Sequence, residues 1–209
     1  MKILIVDDHA MVREGLRHVL ADTFRKAEFG EARNAQEALA AAGKQKWDIV
    51  VLDITMPGRS GLEVLRELKH SHPKLPVLVL SMYPEDQFAI RILKSGAAGY
   101  MNKESAAGEL VGAVKKLLAG GRYVSPALAE KMALYLDVDV KRPLHERLSD
   151  REFQIMRLIA AGQTVREIAE RNFLSAKTVR TYRERILQKM GLKRNAELTR
   201  YAIQNRLVE

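Results

Sequence analysis

Apolar and polar positions follow two alternating patterns between residues 2 and 119. Short unbroken apolar runs, such as Ile3-Leu4-Ile5-Val6, Ile49-Val50-Val51-Leu52 and Val77-Leu78-Val79-Leu80, are too short for helices and read as strands buried on both faces. Strands are predicted at 2–7, 27–32, 48–53, 76–81 and 98–101. Between them the apolar positions recur at helical spacing, which predicts amphipathic helices at about 10–21, 34–44, 61–72, 86–95 and 105–119. Five strand–helix repeats imply an α/β fold, a doubly wound five-stranded parallel sheet with helices on both faces.

The pattern changes after residue 119. Gly120-Gly121 stops the fifth helix, and Ser125-Pro126 reads as an N-cap followed by proline at the first helical position, opening a short helix through about Leu136. Residues 137–147 alternate charges, contain Pro143 and lack a core pattern, as a linker would. From Leu148 the chain is all helical. Ser149 and Glu152 form a capping box, the first helix ends near Ala161-Gly162, and a second covers about 164–171. Ser175 caps a third that Gly191 stops after Met190, and a fourth occupies about 194–206. The tight join of the second and third is a helix-turn-helix pattern, set in an all-α four-helix domain. The predicted division is 1–121 for the α/β domain, 122–146 for a linker with a short helix, and 147–209 for the helical domain.

Composition sharpens this picture in two places. No apolar stretch approaches the length of a membrane span, the chain enters a strand at residue 3 with no room for a secretory signal, and a cytoplasmic protein is expected. The absence of cysteine excludes disulfides and thiolate metal sites. The net charge of +9 is uneven: residues 1–125 hold 18 Lys/Arg against 15 Asp/Glu, and residues 126–209 hold 17 against 11. Within 175–194, seven basic residues (Lys177, Arg180, Arg183, Arg185, Lys189, Lys193, Arg194) face one acid, Glu184. Such a stripe on a helix-turn-helix is the footprint of a nucleic-acid surface, with an ordinary solvated helix face as the alternative.

The strands also end on chemistry. Asp7 and Asp8 close the first run, Asp53 closes the third, and Lys103 follows the fifth. Carboxyl ends of parallel strands form the rim where ligands bind. Three carboxylates on one rim repel one another unless a hard cation lies between them, and oxygen donors suit Mg²⁺. A carboxylate beside that ion and an ammonium group is placed to attack a phosphoryl donor. An enzymatic alternative, an aspartyl-phosphate phosphatase, would need a second acid two residues after the first. Thr55 stands there instead, and Asp53 lies on the third strand rather than the first. His9 reads as part of the helix start, with no chemistry assigned.

The Asp7-Asp8 pair, Asp53 followed by Ile-Thr-Met-Pro-Gly, Ser81 closing the fourth run, and Tyr100 and Lys103 in Gly99-Tyr100-Met101-Asn102-Lys103 resemble the receiver of a bacterial two-component response regulator. The resemblance implies the flavodoxin-like strand order 2-1-3-4-5, an order already known from this family. It makes Asp53 the phosphoacceptor, with Asp8 and Asp53 ligating Mg²⁺ directly, Asp7 acting through water and the Thr55 backbone carbonyl as third ligand. Lys103 would hold a phosphoryl oxygen and Ser81 would offer its hydroxyl. Tyr100, otherwise a half-buried aromatic, would move with Ser81 as a switch. Glu104 stands where many receivers have proline, so a trans peptide after Lys103 is expected.

On the third C-terminal helix, Val179, Tyr182, Ile186 and Met190 share the face expected to pack inward, while Lys177, Arg180, Thr181, Glu184 and Gln188 share the face that can enter a major groove. The DNA-binding candidates are Lys177, Thr178, Arg180, Thr181, Arg183, Glu184, Lys189 and Lys193. Arg180, Thr181 and Glu184 are expected to read bases, and Lys177, Arg183, Lys189 and Lys193 to meet phosphates. Leu148-Ser-Asp-Arg-Glu, Ala161-Gly162, Arg166-Glu167-Ile168-Ala169, Thr178-Val179 and Lys189-Met190-Gly191-Leu192 resemble the LuxR-type helix-turn-helix, and with the receiver the chain is similar to the NarL/FixJ response regulators. Thr164-Val165 and Tyr182 depart from the frequent Ser-Asn pair and histidine. The resemblance implies a transcription regulator that is not an enzyme. A sensor histidine kinase would phosphorylate it, and a homodimer would act on inverted half-sites of double-stranded DNA, with RNA polymerase as a further partner. Leu198, Ala202 and Ile203 on the last helix are a candidate dimer surface or, equally, core of their own domain. Alternatives are a phosphorylation-independent DNA-binding regulator with a vestigial receiver switch, and a stand-alone receiver.

Overall fold

A computed structural model describes residues 1–56, 61–82, 85–134 and 143–208. The chain divides into two compact units, Met1–Leu136 and Asp137–Glu209. In the first, strands β1 (Lys2–Val6), β2 (Glu28–Ala32), β3 (Ile49–Asp53), β4 (Val77–Ser81) and β5 (Gly99–Asn102) form one parallel sheet in the order β2-β1-β3-β4-β5. Helices α1 (Ala10–Thr23), α2 (Ala35–Lys44), α3 (Gly61–Ser71) and α4 (Glu85–Lys94) are the crossovers, and α5 (Ala106–Leu118) follows β5.

Alternation along the strands decides what each face packs against. Ile3 and Ile5, Ile49 and Val51, Leu78 and Leu80, and Met101 point to one face, where α1 and α5 cover them with Leu16, Leu20, Leu110, Val114 and Leu117. The in-between residues Leu4, Val50, Leu52, Val79 and Tyr100 are also buried, so both faces are dry and the runs carry no polar residue until the strands end. β2 differs: it is an edge strand with Glu28 and Glu31 exposed, and Gly30 leaves room for the Trp47 ring, which a Cβ there would meet at 2.2 Å.

The segment after α5 is built into this sheet. Tyr123 N–H donates to the Ala98 carbonyl at 3.1 Å, and the Tyr123 carbonyl accepts from Tyr100 N–H at 3.1 Å, a parallel bridge onto Gly99. Helix α6 follows over Pro126–Leu134, with the Ser125 hydroxyl accepting from Leu128 N–H, and packs against α4. The expected extension of that helix to Leu136 and most of the charged linker lie outside the described residues.

The second unit opens with a 3-10 turn, Leu144–Arg147, where a featureless linker was expected. His145 stacks on Phe153 with ring centroids 5.4 Å apart and its Nδ1 lies 2.9 Å from the Tyr201 hydroxyl. One tight turn has no periodicity to read. Helices α7 (Asp150–Ala160), α8 (Val165–Arg171), α9 (Ala176–Met190) and α10 (Asn195–Gln204) follow. Local chemistry sets their ends: Ser149 with Glu152 and Thr164 with Glu167 form reciprocal capping boxes, Ser175 caps α9, and Gly191 ends it in the left-handed region at φ 68°. Phe153, Ile155, Met156, Ile168, Val179, Ile186, Met190, Leu198 and Ala202 form the core. Leu198 and Ala202, candidates for a dimer surface, therefore pack within their own unit, and of the three only Ile203 is exposed. Among the described residues, no helix is long and apolar enough to cross a membrane.

Candidate functional site

Register places the acids. Val6 pairs with Leu52 and Asp53 with Leu80, so Asp7 and Asp53 leave adjacent strands side by side at the carboxyl rim. Both continue the alternation of the α1/α5 face, Ile3-Ile5-Asp7 and Ile49-Val51-Asp53, and Lys103 continues Met101 on β5. One buried apolar column thus ends in a charged one. Lys103 Nζ lies 2.6 Å from Asp7 Oδ2, to which it donates a hydrogen bond, and 2.9 Å from Asp53 Oδ2, with which it forms an ion pair. The Lys103 amide donates to the Ser81 carbonyl at 2.8 Å, which stitches β5 to β4 where the lysine emerges. The peptide after Lys103 is trans, as Glu104 in place of proline led us to expect.

Burial makes this rim electrostatically tense. Asp7 and Asp53 are 0% and 1% exposed. Burial pushes the Asp53 carboxyl above the usual aspartate range, against the opposing pull of Lys103 and of the Thr55 amide, which donates to Asp53 Oδ1 at 2.9 Å. For Lys103 burial is the largest single influence and acts downward, but its contacts with Asp7 and Asp53 together outweigh it and leave the ammonium above its ordinary value. One cation serves two buried carboxylates. Asp8 Oδ1 and Asp53 Oδ2 are buried without a hydrogen-bond donor, and ligand atoms of Asp7, Asp8, His9 and Asp53 all lie within 4.8 Å of one another. An oxygen-rich, anionic, under-satisfied cluster of this size fits a divalent cation such as Mg²⁺.

The remaining receiver candidates are placed differently. Ser81 and Tyr100 point to the other face of the sheet, on neighbouring strands, where α4 packs against β5. Both are fully buried, so Tyr100 is not the half-buried aromatic expected from its type: on a strand covered on both faces its ring has no route to water. Thr55 brings its amide to Asp53, and its own hydroxyl is buried with no partner. Pro57 and Gly58 of the motif lie outside the described residues. Two side chains to which the sequence assigns no chemistry contact the acid pair. His9 occupies the N-cap of α1 without a side-chain cap bond, and its Nδ1 sits 3.1 Å from Asp8 Oδ1 and 3.3 Å from Asp7 Oδ1. Arg13 Nη1 donates to the Asp7 carbonyl at 2.7 Å and fixes the loop from one turn into α1. The position of His9 directly after the acid pair was the available signal.

On α9, Val179, Ile186 and Met190 are buried as expected, Tyr182 only partly, while Lys177, Arg180, Glu184 and Gln188 are exposed. Thr178 is turned to the helix start, where its hydroxyl meets Ser175 Oγ at 2.8 Å, and Thr181 Oγ1 donates back to the Lys177 carbonyl at 3.1 Å. Arg183 Nε donates to Asn195 Oδ1 at 2.7 Å. Lys189, expected to meet a phosphate, pairs through Nζ at 2.7 Å with Glu152, the capping glutamate of α7, whose side chain is 4% exposed. A partner 37 residues away was invisible to helical spacing. Lys193 is exposed, and among the described residues its ammonium makes no ion pair.

A five-stranded parallel sheet with acids and a lysine on its carboxyl rim, followed by a helix-turn-helix unit with a basic outer face, defines a DNA-binding response regulator. Comparison with known proteins agrees. Residues 3–115 match the response regulator receiver domain, and residues 146–202 match the bacterial regulatory proteins of the luxR family. The chain is 39% identical over 210 residues to the response regulator GacA of Pseudomonas syringae pv. syringae (strain B728a), covering 100% of this chain and 98% of the relative. It is 36% identical over 208 residues to the response regulator UvrY of Escherichia coli (strain K12), covering 99% and 95%. Among solved structures, RcsB from Salmonella enterica serovar Typhimurium, bound to promoter rprA in the presence of the phosphomimetic BeF3−, aligns with a TM-score of 0.66 at 25% identity, covering 96% of this chain and 98% of that one. The chain belongs to the NarL/FixJ family of response regulators, which regulate transcription through a receiver and a LuxR-type DNA-binding domain.

Proposed function

We propose that Asp53 accepts a phosphoryl group from a partner histidine kinase and that this change in the receiver controls a dimer bound to inverted DNA half-sites. The observation that carries the reading is the 2.9 Å approach of Lys103 Nζ to Asp53 among buried, under-satisfied carboxylate oxygens. An Asp53 carboxylate oxygen attacks phosphorus, the new O–P bond forms as the P–N bond to the kinase imidazole breaks, and the leaving nitrogen keeps the electron pair and takes a proton. Lys103 supplies positive charge to a phosphoryl oxygen. Asp8, Asp53 and the Thr55 carbonyl would hold Mg²⁺, with Asp7 acting through water; the bound ion supplies charge neutralisation for the transferring group. The Ser81 hydroxyl would take another phosphoryl oxygen and draw Tyr100 with it, which changes the surface around α4 and β5.

The 1–121 and 147–209 portions serve as switch and reader. Arg180, Thr181 and Glu184 would meet base edges, with Lys177, Thr178, Arg183 and Lys193 towards the backbone and Lys189 supporting the domain through Glu152. Incubation with a small acyl phosphate in Mg²⁺ should label the wild type and not Asp53→Asn, and Asp8→Ala should lose both labelling and its metal dependence. Full labelling of Asp53→Asn would place the acceptor elsewhere, whereas a wild type that takes no label in Mg²⁺ would favour a phosphorylation-independent regulator.

A further inference from the structure

The amino ends of the strands, opposite the rim that carries Asp53, frame a second concavity. A cleft of about 600 Å³ opens among the residues that enter β1, β3, β4 and β5 and the end of α5. Its volume lies in the range of small-molecule sites, roughly 300–1,000 Å³. Pro76, Ala97, Leu117 and Leu118 supply apolar lining, and three cations, Lys69, Lys74 and Arg122, stand around it.

Lys69 is built into the wall rather than waving from it. Its Nζ donates to the Pro73 carbonyl at 2.5 Å and to the Leu75 carbonyl at 2.8 Å. Its stem lies on Gly96, at φ +101°, where an added Cβ would come within 3.0 Å of Lys69 Cγ. An ammonium has three N–H donors, so one remains for the cleft. Burial first, and then the Arg122 guanidinium, hold the Lys69 ammonium below its ordinary value, as for a cation short of negative charge. Among the described residues no carboxylate pairs with Lys69, Lys74 or Arg122. The one acid on the lining, Asp48, already accepts from Lys2 N–H at 2.7 Å and lies 4.0 Å from the Met1 amino group.

We propose that this cleft binds a small organic phosphate, its anionic oxygens on Lys69, Lys74 and Arg122 and its organic part on the apolar lining. Three cations line the cleft against a single acid, Asp48, with which none of them pairs among the described residues, and they differ in kind. The lysines are point charges and the arginine a planar fork, which together suit a tetrahedral oxyanion. The site lies at the far end of the sheet from Asp53, so its occupant does not compete with phosphoryl transfer.

The test is an NMR titration of the ¹⁵N-labelled full chain with AMP as the probe, in the absence of divalent cations, with adenosine as the control that lacks the phosphate. Saturable shifts of the Gly96, Ala98 and Gly121 amides by AMP, and none by adenosine, are expected. Arg122→Gln, which loses no internal bond, should weaken AMP binding about tenfold, the worth of one charge-assisted contact. Lys69→Gln should weaken it further, provided its amide spectrum stays that of the folded chain. Shifts confined to residues 175–194, equal responses to adenosine, or unchanged affinity in Arg122→Gln would each overturn the proposal.

Discussion

Asp53 holds a carboxylate where water cannot solvate it, next to two other acids and a single shared lysine. The protein therefore carries a local cost for keeping that group charged. Because the folded-state value of Asp53 is raised by burial, the folded chain binds its proton more readily than the unfolded one, and stability falls as pH rises through that window. Asp53→Asn keeps an acceptor for the Thr55 amide and removes the charge. It should stabilise the metal-free receiver by roughly 0.5–2 kcal/mol near neutral pH. The gain should vanish at low pH, where the wild-type carboxyl is itself protonated. Urea unfolding of both proteins at pH 7 and at pH 3.5, without divalent cations, reads this directly; a loss of stability at pH 7 would mean that the Lys103 pairing outweighs burial. The convergence of Asp7, Asp53 and Lys103 was legible in the sequence because each closes or follows an apolar run, and the carboxyl ends of parallel strands share one rim. The His9 and Arg13 contacts were not, since they depend on how α1 leaves the loop.

At the scale of the element, α9 mixes residues that face outward with residues that hold the domain together, and the two should separate in experiment. Arg180→Ala should cost about 1–3 kcal/mol on a target duplex and relax sequence preference. Lys193→Ala should weaken every duplex alike and make the salt dependence shallower by roughly one ion, with stability unchanged. Lys189→Ala should lower the stability of the 137–209 unit, because it strips a nearly buried carboxylate of its cation. Glu152 makes that loss pH-dependent. Burial raises its value, but Lys189 and Ser149 together more than reverse this and leave it lowered, so its contribution is present above the ordinary glutamate value and fades as pH falls through the folded one. Binding titrations on specific and random duplexes, paired with urea unfolding, sort the three; a Lys189→Ala variant of wild-type stability that binds DNA poorly would return that lysine to the phosphate contacts. Helix ends were readable because caps are local, within three residues of each boundary. The 3-10 turn at Leu144–Arg147 and the inward packing of Leu198 and Ala202 were not, because both are decided by partners distant in sequence.

For the whole molecule, the proposed switch predicts that a beryllofluoride mimic shifts the chain from monomer towards dimer and tightens DNA binding by about 5- to 150-fold, the span of a typical coupling of 1–3 kcal/mol. Sedimentation and DNA titration with and without the mimic give the answer, and identical mass and affinity in both would remove the receiver from control. The order β2-β1-β3-β4-β5 has one further consequence, which concerns what the sheet refuses to do. An open sheet has two edges, and each is a row of unpaired backbone groups that a foreign strand can join. The β2 edge is guarded by exposed Glu28 and Glu31. The β5 edge is closed by the chain itself, through Tyr123 alongside Gly99, and the fit is tight: a methyl group on Gly99 would meet Tyr123 Cβ and its carbonyl oxygen at 3.0 Å. Gly99→Ala should loosen that selvage, leaving β5 open, and should show as concentration-dependent light scattering at temperatures where the wild type stays monodisperse.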